Sequence, residues 1–436
     1  MEICPVKGTH DLYEAEANLY HDVEIHCLLI ASVFGFQEIR TPIIEHTNLF
    51  VRGVGESSDI VNKEMYTFED KGGRSITLRP ELTAGIMRSI VSNKLYANAD
   101  LPLKYFYCGP CFRYERPQAG RYRQFNQFGI EAIGSPSYIL DAEVISVGYR
   151  IVSTLGIKNV KVLINSLGDE ESRKNYRAAL KEYFAKHIDK MCGDCKRRLE
   201  VNPLRILDCK VEEDREIIKN APKMSDYLSD ESKVYLNNVI SLLKEIGIEV
   251  VVDDSLVRGL DYYTGIVFEY HVDKVEGLDN VGALGGGGHY AKLLKEVGGP
   301  DLEGVGLAFG IERLAYIYSH VTKRDYSFSP DVYLIGMTQD IIDKNFGLAE
   351  ILRSSGFSTE VNYEVKSMKS LLKTAVKKRA KFAIIVGEEE VENSRVTIKN
   401  LDTQEQTVVA LDDLTRILES MLNEYAARHA TLEGEE

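Results

Sequence analysis

Several absences narrow the classes of protein to which this 436-residue chain can belong. No apolar run approaches the length that a membrane-spanning helix needs, so we expect no membrane segment. The opening residues, MEICPVKGTHDLYEAEA, lack the basic and apolar regions of a signal peptide. The seven cysteines are an odd number, which favours a reduced cytoplasmic protein over a disulfide scaffold. Basic residues are outnumbered by acidic ones, 53 to 67, and a net charge of −14 argues against indiscriminate nucleic-acid binding.

Against this acidic background, the segment from Cys108 to Glu131 concentrates basic charge. It contains four closely spaced arginines: Arg113, Arg116, Arg121 and Arg123. Strand-forming residues lie on both sides of one turn signal, Pro117-Gln118-Ala119-Gly120. The pattern therefore predicts an antiparallel hairpin with a long basic loop at its tip.

Residue alternation in the second arm of this hairpin predicts a functional face. In a strand, every second residue projects to the same side, which groups Arg123, Phe125, Gln127, Gly129 and Glu131. A cation, an aromatic ring, an amide, a gap and a carboxylate suit a pocket for a small polar substrate beside a phosphate. The alternative interpretation is a basic surface hairpin with a solvated face.

Residue patterns divide the chain into three regions. Strand and helix signals over residues 1–168 return over 251–325, so we expect these two segments to share one core. The charged, helix-rich stretch 169–250 indicates an inserted helical domain. After the boundary RDYSFSP, alternating strands and helices predict a compact α/β domain over residues 330–425.

Two further segments place polar residues where a site could form. In LRPELT, Glu81 and Thr83 open a helix, where an acidic residue is usually a cap but could also receive an ammonium group. In LVRGLDYYTG, Arg258 precedes a glycine that leaves space before Tyr262 and Tyr263.

The glycine run Gly285 to Gly288 lacks the Lys-Ser/Thr pair of a phosphate loop. Bare backbone beneath a flat ligand would explain the four glycines, and a plain turn is an equal alternative.

Cysteines in the helical stretch raise the question of a metal. Cys192, Cys195 and Cys209 could form a zinc site, which usually needs a fourth ligand, and His187 is close enough in sequence to supply it. A single C-x-x-C in a helical segment is only a moderate signal, so the alternative is that no metal binds.

A basic stripe in the C-terminal region could face RNA. Lys366, Lys369, Lys373 and Lys377 recur at helical spacing, and further cations follow at 378, 379 and 381. A solvated helix face has the same pattern.

Taken in order, these segments resemble the class II aminoacyl-tRNA synthetases and, within them, the histidyl-tRNA synthetase family. FQEIRTPIIE resembles motif 1, YCGPCFRYERPQAGRYRQFNQFGIE motif 2 and GVGLAFGIERL motif 3. LVRGLDYYTG and GGGGHYAKL resemble the two signatures of the histidine enzymes. The resemblance covers essentially the whole chain.

The resemblance implies a fold and an assembly. The expected fold class is an α+β catalytic core built on an antiparallel sheet, formed by residues 1–168 and 251–325. A helical insertion (169–250) and a C-terminal α/β anticodon-binding domain (330–425) complete the chain. The family also implies a homodimer, with Pro42 of motif 1 at its interface.

The resemblance further implies an activity. Histidine is activated with ATP to histidyl-adenylate and pyrophosphate, and the histidyl group then passes to the 3′ end of its tRNA. Mg²⁺ is expected to bridge the ATP phosphates. Arginine suits phosphate chemistry because its guanidinium binds oxyanions bidentately and stays protonated.

Matching the family's motifs residue by residue implies the following roles. The expected catalytic groups are three arginines: Arg113, Arg258 and Arg313. The expected ATP-binding residues are Arg113, Glu115, Arg121, Phe125 and Arg313. The expected histidine-binding residues are Glu81, Thr83, Gln127, Glu131, Tyr262 and Tyr263, of which Glu131 and Tyr263 bracket the imidazole. The residues expected to meet the tRNA acceptor end are Arg116 and Gln118.

A second class of function shares this sequence pattern. Catalytically inactive paralogues of these enzymes serve as regulatory subunits of ATP phosphoribosyltransferase, but they typically lack the anticodon domain and have eroded signatures. This chain has both the C-terminal domain and intact signatures, which favours the enzyme. A bare RNA-binding module would leave the alternation on the second arm of the hairpin unexplained.

Overall fold

The computed structural model describes residues 3–434 apart from 56–57, 59, 98, 118–119 and 259–261, with no side-chain description at 279–280 or beyond 429. The chain divides into two compact units, Met1–Thr322 and Lys323–Glu436. Among the described helices, none combines the length and apolar character needed to cross a bilayer.

Strands and helices of the N-terminal unit follow one another as mixed α and β structure. The strands are β1 (Gln37–Glu38), β2 (Ile44–His46), β3 (Tyr66–Glu69), β4 (Ser75–Leu78), β5 (Leu103–Phe112), β6 (Gln124–Ile133), β7 (Lys161–Ser166), β8 (Val250–Val252), β9 (Ile266–Val275), β10 (Leu278–Tyr290) and β11 (Gly304–Gly310). The α-helices are α1 (Glu14–Val33), α2 (Thr47–Val54), α3 (Thr83–Ser92), α4 (Tyr138–Thr154), α5 (Glu170–Ala185), α6 (Gly193–Val201), α7 (Glu212–Ile218), α8 (Asp230–Glu245), α9 (Leu293–Glu296) and α10 (Ile311–Val321).

The main sheet of this unit has eight strands in the order β1-β5-β6-β11-β10-β9-β7-β8. The outer pairs β1–β5 and β7–β8 are parallel, and every neighbouring pair between them is antiparallel. The predicted α+β core on an antiparallel sheet is therefore confirmed. β1 lies at the sheet edge with Pro42 just beyond it, as expected for a residue that cannot donate a backbone hydrogen bond.

Side-chain alternation gives the two faces of the sheet different characters. On β6, Phe128 and Ile130 point into the main apolar core, which the helices α1, α4, α8 and α10 complete. The alternate residues Phe125, Gln127 and Glu131 line a pocket on the other face. Period-two alternation was the signal for this pocket in the sequence, and the structure confirms it for these three residues.

The glycine run Gly285 to Gly288 lies inside β10, so the interpretation as a plain turn is wrong. A Cβ on Gly286 would collide with the carbonyl oxygen of Phe268, and one on Gly287 with that of Gly306. These glycines therefore let β9 and β11 approach β10 closely. Gly286 also lines the pocket, as the alternative interpretation requires, while the flat ligand itself stays a prediction.

The stretch between β7 and β8 is helical, as predicted, and connects two adjacent parallel strands. Part of it has an apolar cluster of its own, which runs from Tyr176 to Leu228. Helix α8 instead packs through Leu236, Val239 and Leu243 on the main core. The proposed domain boundaries at 169 and 250 remain predictions.

The C-terminal unit is an α/β domain. Its strands are β12 (Val332–Gly336), β13 (Thr359–Val361), β14 (Phe382–Val386), β15 (Arg395–Asn400) and β16 (Gln406–Ala410). Its α-helices are α11 (Gln339–Ser354), α12 (Met368–Lys377), α13 (Glu388–Glu392) and α14 (Leu414–Gly434). The sheet order is β13-β12-β14-β15-β16, parallel for the first three strands and antiparallel for the last two pairs. The predicted alternation is confirmed, and β15 and β16 extend it.

A buried histidine joins β10 to α4. Nδ1 of His289 lies 3.1 Å from Asp141 Oδ1, and Nε2 lies 3.0 Å from Glu303 Oε2. The Tyr235 hydroxyl donates to the other oxygen of Asp141. Burial by itself would lower the pKa of His289, but the hydrogen bonds and charges of Asp141 and Glu303 outweigh it and raise the pKa to about 9.

We expect this ion cluster to stabilise the fold below neutral pH. Because the folded-state pKa of His289 exceeds its unfolded value of about 6.5, its contribution is complete below pH 6.5 and is lost as the pH rises to about 9. The difference in free energy of unfolding between the native chain and His289→Gln should shrink by about 3 kcal/mol over that range. Denaturant unfolding of both proteins from pH 6 to 9 measures it, and a difference independent of pH would contradict the charged histidine.

Candidate active site

The hairpin of β5 and β6 forms one wall of a pocket in the N-terminal unit. Its strands pair over their full length, from Leu103 opposite Ile133 to Phe112 opposite Gln124. The cavity has a volume of about 420 Å³. Many of the residues predicted from the sequence line it: Glu81, Thr83, Arg113, Glu115, Arg121, Phe125, Gln127, Glu131, Arg258, Tyr262 and Tyr263.

Glu131 is the centre of a buried hydrogen-bond network at this pocket. The side chain is 1% exposed. Its Oε1 accepts from the hydroxyls of Thr83 (2.7 Å) and Tyr107 (3.1 Å), and its Oε2 accepts from Tyr290 (2.7 Å). Burial raises the pKa of Glu131 to about 7, and the three hydrogen bonds limit the rise because they favour the ionised form. The carboxylate is thus positioned by hydroxyl groups from three separate elements.

Two glycines make room for this network. A Cβ on Gly129 would collide with the hydroxyl of Tyr107, its partner across the β5–β6 ladder. A Cβ on Gly306 would collide with the carboxylate of Glu131. The gap at Gly129 predicted for the pocket face is therefore filled by a phenol that reaches Glu131.

Glu81 has a capping role and also faces the pocket. Its two oxygens accept from the backbone N–H groups of Thr83 (2.7 Å) and Ala84 (2.9 Å) in the first turn of α3. Burial raises the pKa of Glu81, and these hydrogen bonds oppose the rise. The capping interpretation is confirmed, and its place in the pocket wall leaves the ammonium role as a prediction.

Arg113 and Phe125 form a second region of the pocket. The guanidinium carbon of Arg113 lies 5.2 Å from the Phe125 ring centre, and its Nε donates to the Pro80 carbonyl (2.8 Å). Nη1 lies 3.7 Å from Glu115 Oε1. Phe125 and Glu131 are six residues apart on β6, about 20 Å at 3.3 Å per residue, so they mark distant parts of one elongated site.

Arg258 is held by an ion pair with Glu269 of β9. Beyond it, the rings of Tyr262 and Tyr263 lie 4.6 Å apart. Both tyrosines are largely buried and line the pocket. Gly259, Leu260 and Asp261 of the same motif are outside the described residues.

Some predicted residues do not line the cavity. Arg313 donates to the Val281 carbonyl, and burial followed by the charge of nearby Arg121 lowers its pKa. Arg116 is likewise not part of the wall, and Gln118 lies outside the described residues. The roles of these three remain predictions.

Arg123 does not share the pocket face that alternation predicted for it. The guanidinium carbon lies 3.8 Å from the Tyr114 ring centre. β6 begins at Gln124, so alternation does not extend to the residue before it.

The structure adds lining residues that sequence reasoning missed. Tyr290 lines the cavity and, together with Tyr107 behind the wall, completes the network at Glu131. Arg205 and Asp208 come from the turn Pro203–Asp208 in the helical stretch. Their sequence context carries no motif that points to this pocket.

The structure brings the three predicted cysteines together, and the metal itself stays a prediction. Ligand atoms of Cys192, Cys195, Cys209 and Asp214 all lie within 4.8 Å of one another. Asp214, not His187, completes the group. The His187 ring instead packs against Tyr183, at 5.0 Å between ring centres.

Three of the four lysines of the predicted stripe lie on α12, whereas Lys366 precedes the helix and pairs with Glu364. Lys369, Lys373 and Lys377 are exposed. In the part of the chain that the structure describes, no ion pair is found for these three. The flanking cations are different, because Lys378, Arg379 and Lys381 pair with Glu360, Asp325 and Asp331. They therefore add less to a basic surface than the sequence suggested.

Known proteins share both the sequence and the fold of this chain. A family model described as histidyl-tRNA synthetase matches residues 8–314, and one described as an anticodon binding domain matches residues 331–421. The histidine–tRNA ligase of Bacillus velezensis is 46% identical over 415 residues, covering 95% of this chain and 98% of that protein. The corresponding ligase of Halalkalibacterium halodurans is 48% identical, covering 95% and 97%.

Solved structures agree. The apo histidyl-tRNA synthetase of S. aureus is 37% identical with a TM-score of 0.81, and the match covers 96% of this chain and 100% of that one. A protein described as an ATP phosphoribosyltransferase regulatory subunit/histidyl-tRNA synthetase from Bacillus halodurans C is 21% identical with a TM-score of 0.61 over 84% of this chain and 95% of that one. At that identity the likeness shows the fold alone.

A methyl group added at Gly306 tests how tightly the structure packs around the Glu131 carboxylate. Gly306→Ala should lower the free energy of unfolding by about 1–3 kcal/mol, because the added Cβ overlaps the buried carboxylate. Gly310→Ala on the same strand is the control, since its nearest neighbour would be Arg313 Cβ at 3.8 Å. Denaturant unfolding of both variants measures the difference, and equal stabilities would show that the network tolerates the methyl group.

Proposed function

The chain belongs to the histidyl-tRNA synthetase family, and we propose that its N-terminal pocket activates histidine with ATP and then passes the histidyl group to tRNA. The activity of the chain is that of a histidine–tRNA ligase, an ATP-dependent aminoacyl-tRNA synthetase. What the proposal adds is the role of each lining residue.

The observation that carries the proposal is a pair of buried carboxylates without a basic partner. Glu81 and Glu131 are each 1% exposed and line the same cavity. Among the described residues, no ion pair joins either one to a lysine, arginine or histidine. Buried negative charge is costly unless a partner compensates it. Histidine offers suitable partners, because it carries an α-ammonium group and an imidazole with N–H donors.

From these groups we assign the part of the pocket around Glu81 and Glu131 to the histidine substrate. The α-ammonium binds at Glu81 with Thr83 and Gln127, whose oxygens can accept from it. The imidazole lies between Glu131 and Tyr263, and Tyr262 packs against the latter. Since hydroxyls already occupy both Glu131 oxygens, the imidazole N–H shares the remaining lone pairs of that carboxylate.

The region of Arg113 and Phe125 takes ATP. Phe125 stacks on the adenine ring, and Glu115 accepts from its amino group. Arg113 and Arg258 neutralise charge at the α-phosphate and the histidine carboxylate, while Arg121 and Arg313 reach the outer phosphates. The fixed positions of Arg113 on the Pro80 carbonyl and Arg258 on Glu269 support this assignment, because preorganised donors need little rearrangement during reaction.

Both chemical steps depend on alignment more than on proton transfer. An oxygen of the histidine carboxylate forms a bond to the α-phosphorus while the bond to pyrophosphate breaks. A carboxylate is already nucleophilic at neutral pH, so this step needs no general base. A ribose hydroxyl at the tRNA 3′ end then forms the ester with the histidyl carbonyl carbon, loses its proton, and AMP departs. Oriented arginines lower the barrier by positioning the reactants and balancing phosphate charge.

Mg²⁺ is proposed to enter with ATP. This ion prefers oxygen ligands and is usually held by one or two carboxylates together with phosphates and water. Glu64 and Asp208 bring carboxylates to the same cavity wall as the arginines, so the residues present fit the ion. Bound there, Mg²⁺ would neutralise phosphate charge.

The binding partners, the oligomeric state and the location of the chain can be inferred in the same way. The domain of residues 330–425 binds the anticodon region of tRNA through the α12 stripe, and Arg116 and Gln118 meet the acceptor end. A homodimer is supported by exposed apolar residues on α1 and beside Pro42, namely Leu29, Val33, Ile43 and Ile44. A cytoplasmic location suits the free cysteines and these substrates.

Exchange of pyrophosphate into ATP tests the amino-acid site. Exchange should depend on histidine, need no tRNA, and be lost with the other amino acids. Glu131→Gln should lower kcat/KM for histidine by about one to two orders of magnitude, because a charge-assisted bond of about 1.5–3 kcal/mol is lost. KM for ATP should scarcely change, since Arg113 and Phe125 are intact.

Glu312→Gln is a matched control for that substitution. Glu312 is also buried, and burial raises its pKa to about 7, but it does not line the cavity. A destabilised Glu131→Gln protein with unchanged kinetics for histidine would show that Glu131 only holds the sheet together. Exchange with no amino acid, or equally with several, would refute the activity assigned to the pocket.

If the lysine stripe binds tRNA, removing its charge should impair tRNA charging but not histidine activation. Changing Lys369, Lys373 and Lys377 together to glutamine should lower kcat/KM for tRNA charging by about tenfold or more at low salt and flatten its salt dependence. Exchange and melting temperature should not change, because these side chains are exposed and belong to the other compact unit of the chain.

Lys344→Gln is the comparison for this variant, since Lys344 is exposed on α11 and pairs with Asp340. Charging at the native rate by the triple variant would mean that the stripe is a solvated face.

A further inference from the structure

We propose that Cys192, Cys195, Cys209 and Asp214 bind a single zinc ion within the helical stretch of the N-terminal unit. The ligand atoms of these four residues lie within 4.8 Å of one another, and all but the half-buried Cys192 are buried. The zinc site is independent of the function proposed above, because its tests measure the metal itself.

The distances fit one tetrahedral ion. Sulfurs bound to zinc at about 2.3 Å with tetrahedral angles lie about 3.8 Å apart. Cys192 Sγ and Cys209 Sγ are separated by 3.8 Å. Cys209 Sγ lies 3.2 Å from Asp214 Oδ2, close to the sulfur–oxygen separation in such a site. All three cysteines are free thiols, so no disulfide accounts for their approach.

Donor chemistry favours zinc over other ions. Soft thiolates exclude Mg²⁺ and Ca²⁺ as the preferred occupants. Closely spaced thiolates are typical of structural zinc, which also accepts a carboxylate oxygen as a ligand. Ligand atoms this close can surround one ion but leave too little space for a multi-iron cluster. Four protein ligands also close the coordination sphere, which indicates a structural site rather than a catalytic one.

The surrounding fold positions the ligands. Cys192 is the N-cap residue of α6 and Cys195 lies in the first turn of that helix, so both cysteines are at its N-terminal end. The backbone N–H of Cys192 donates to both Asp214 oxygens at 3.2 Å, which orients that carboxylate. Such hydrogen bonds to a ligand are typical of built metal sites.

A metal would also compensate for a small core. The apolar cluster between Tyr176 and Leu228 is separate from the main core, and Cys195 and Cys209 belong to it. Domains with small cores commonly depend on a metal or disulfides for stability. Zinc would therefore contribute folding free energy to this segment.

The ion would connect this segment to the active site. The turn Pro203–Asp208 lies between Cys195 and Cys209, and its Arg205 and Asp208 line the catalytic cavity. Arg205 also donates to the Arg258 carbonyl at 3.3 Å. Fixing both ends of the turn would thus hold two pocket residues in place.

Elemental analysis of the full-length protein, expressed with zinc and dialysed, tests the proposal. We expect stoichiometric zinc, and Co²⁺ in its place should give the intense thiolate charge-transfer bands of a tetrahedral site. Removal of the ion with a strong chelator should speed amide hydrogen exchange across residues 192–214. Protein that holds neither zinc nor Co²⁺, or in which Cys192 and Cys209 form a disulfide, would overturn the proposal.

Matched variants identify the ligands. Cys209→Ser and Asp214→Ala should each lower zinc affinity by at least about 100-fold, whereas Cys27→Ala removes a buried cysteine outside the cluster and should keep full zinc. His187→Ala should also retain the metal. Zinc lost from His187→Ala but kept by Asp214→Ala would refute the ligand set. If Cys209→Ser fails to fold, the metal content and cobalt spectrum of the native chain still decide the outcome.

Discussion

A buried carboxylate is the constraint on which the catalytic unit depends. Glu131 sits on a central strand of the main sheet, where water cannot solvate its charge. Hydroxyls from Thr83, Tyr107 and Tyr290 satisfy it, and these come from α3, β5 and β10. A buried carboxyl group is costly unless hydrogen bonds satisfy it. The network therefore holds four elements in one arrangement and leaves the carboxylate directed at the pocket.

The glycines of the sheet serve the same constraint. Gly129 and Gly306 keep space for the phenol and the carboxylate, and Gly286 and Gly287 let the neighbouring strands approach β10. Each lies in regular strand, so close packing rather than backbone flexibility explains these residues. A glycine-rich signature near the active site can thus reflect crowding between elements, with only part of it exposed to substrate.

Sequence reasoning succeeded where a local period or cap determines the structure. Alternation on β6 placed Phe125, Gln127 and Glu131 on the pocket face, because strand geometry repeats every two residues. It failed at Arg123, which precedes the strand. Sequence reasoning also missed Arg205, Asp208 and Asp214. The packing of a helical stretch, not a local repeat, brings those side chains to their sites.

The sequence by itself determined the family, the order of the elements and most of the polar residues that line the pocket, since motif order and periodicity are local properties of the chain. Only the tertiary structure decided how those residues are held. The partners of Glu131 lie 48, 24 and 159 residues away along the chain. Likewise, the choice of Asp214 over His187 beside the cysteines depends on how α6 and α7 pack. Contacts at such separations follow from the burial of apolar surface across several elements, which no local pattern encodes.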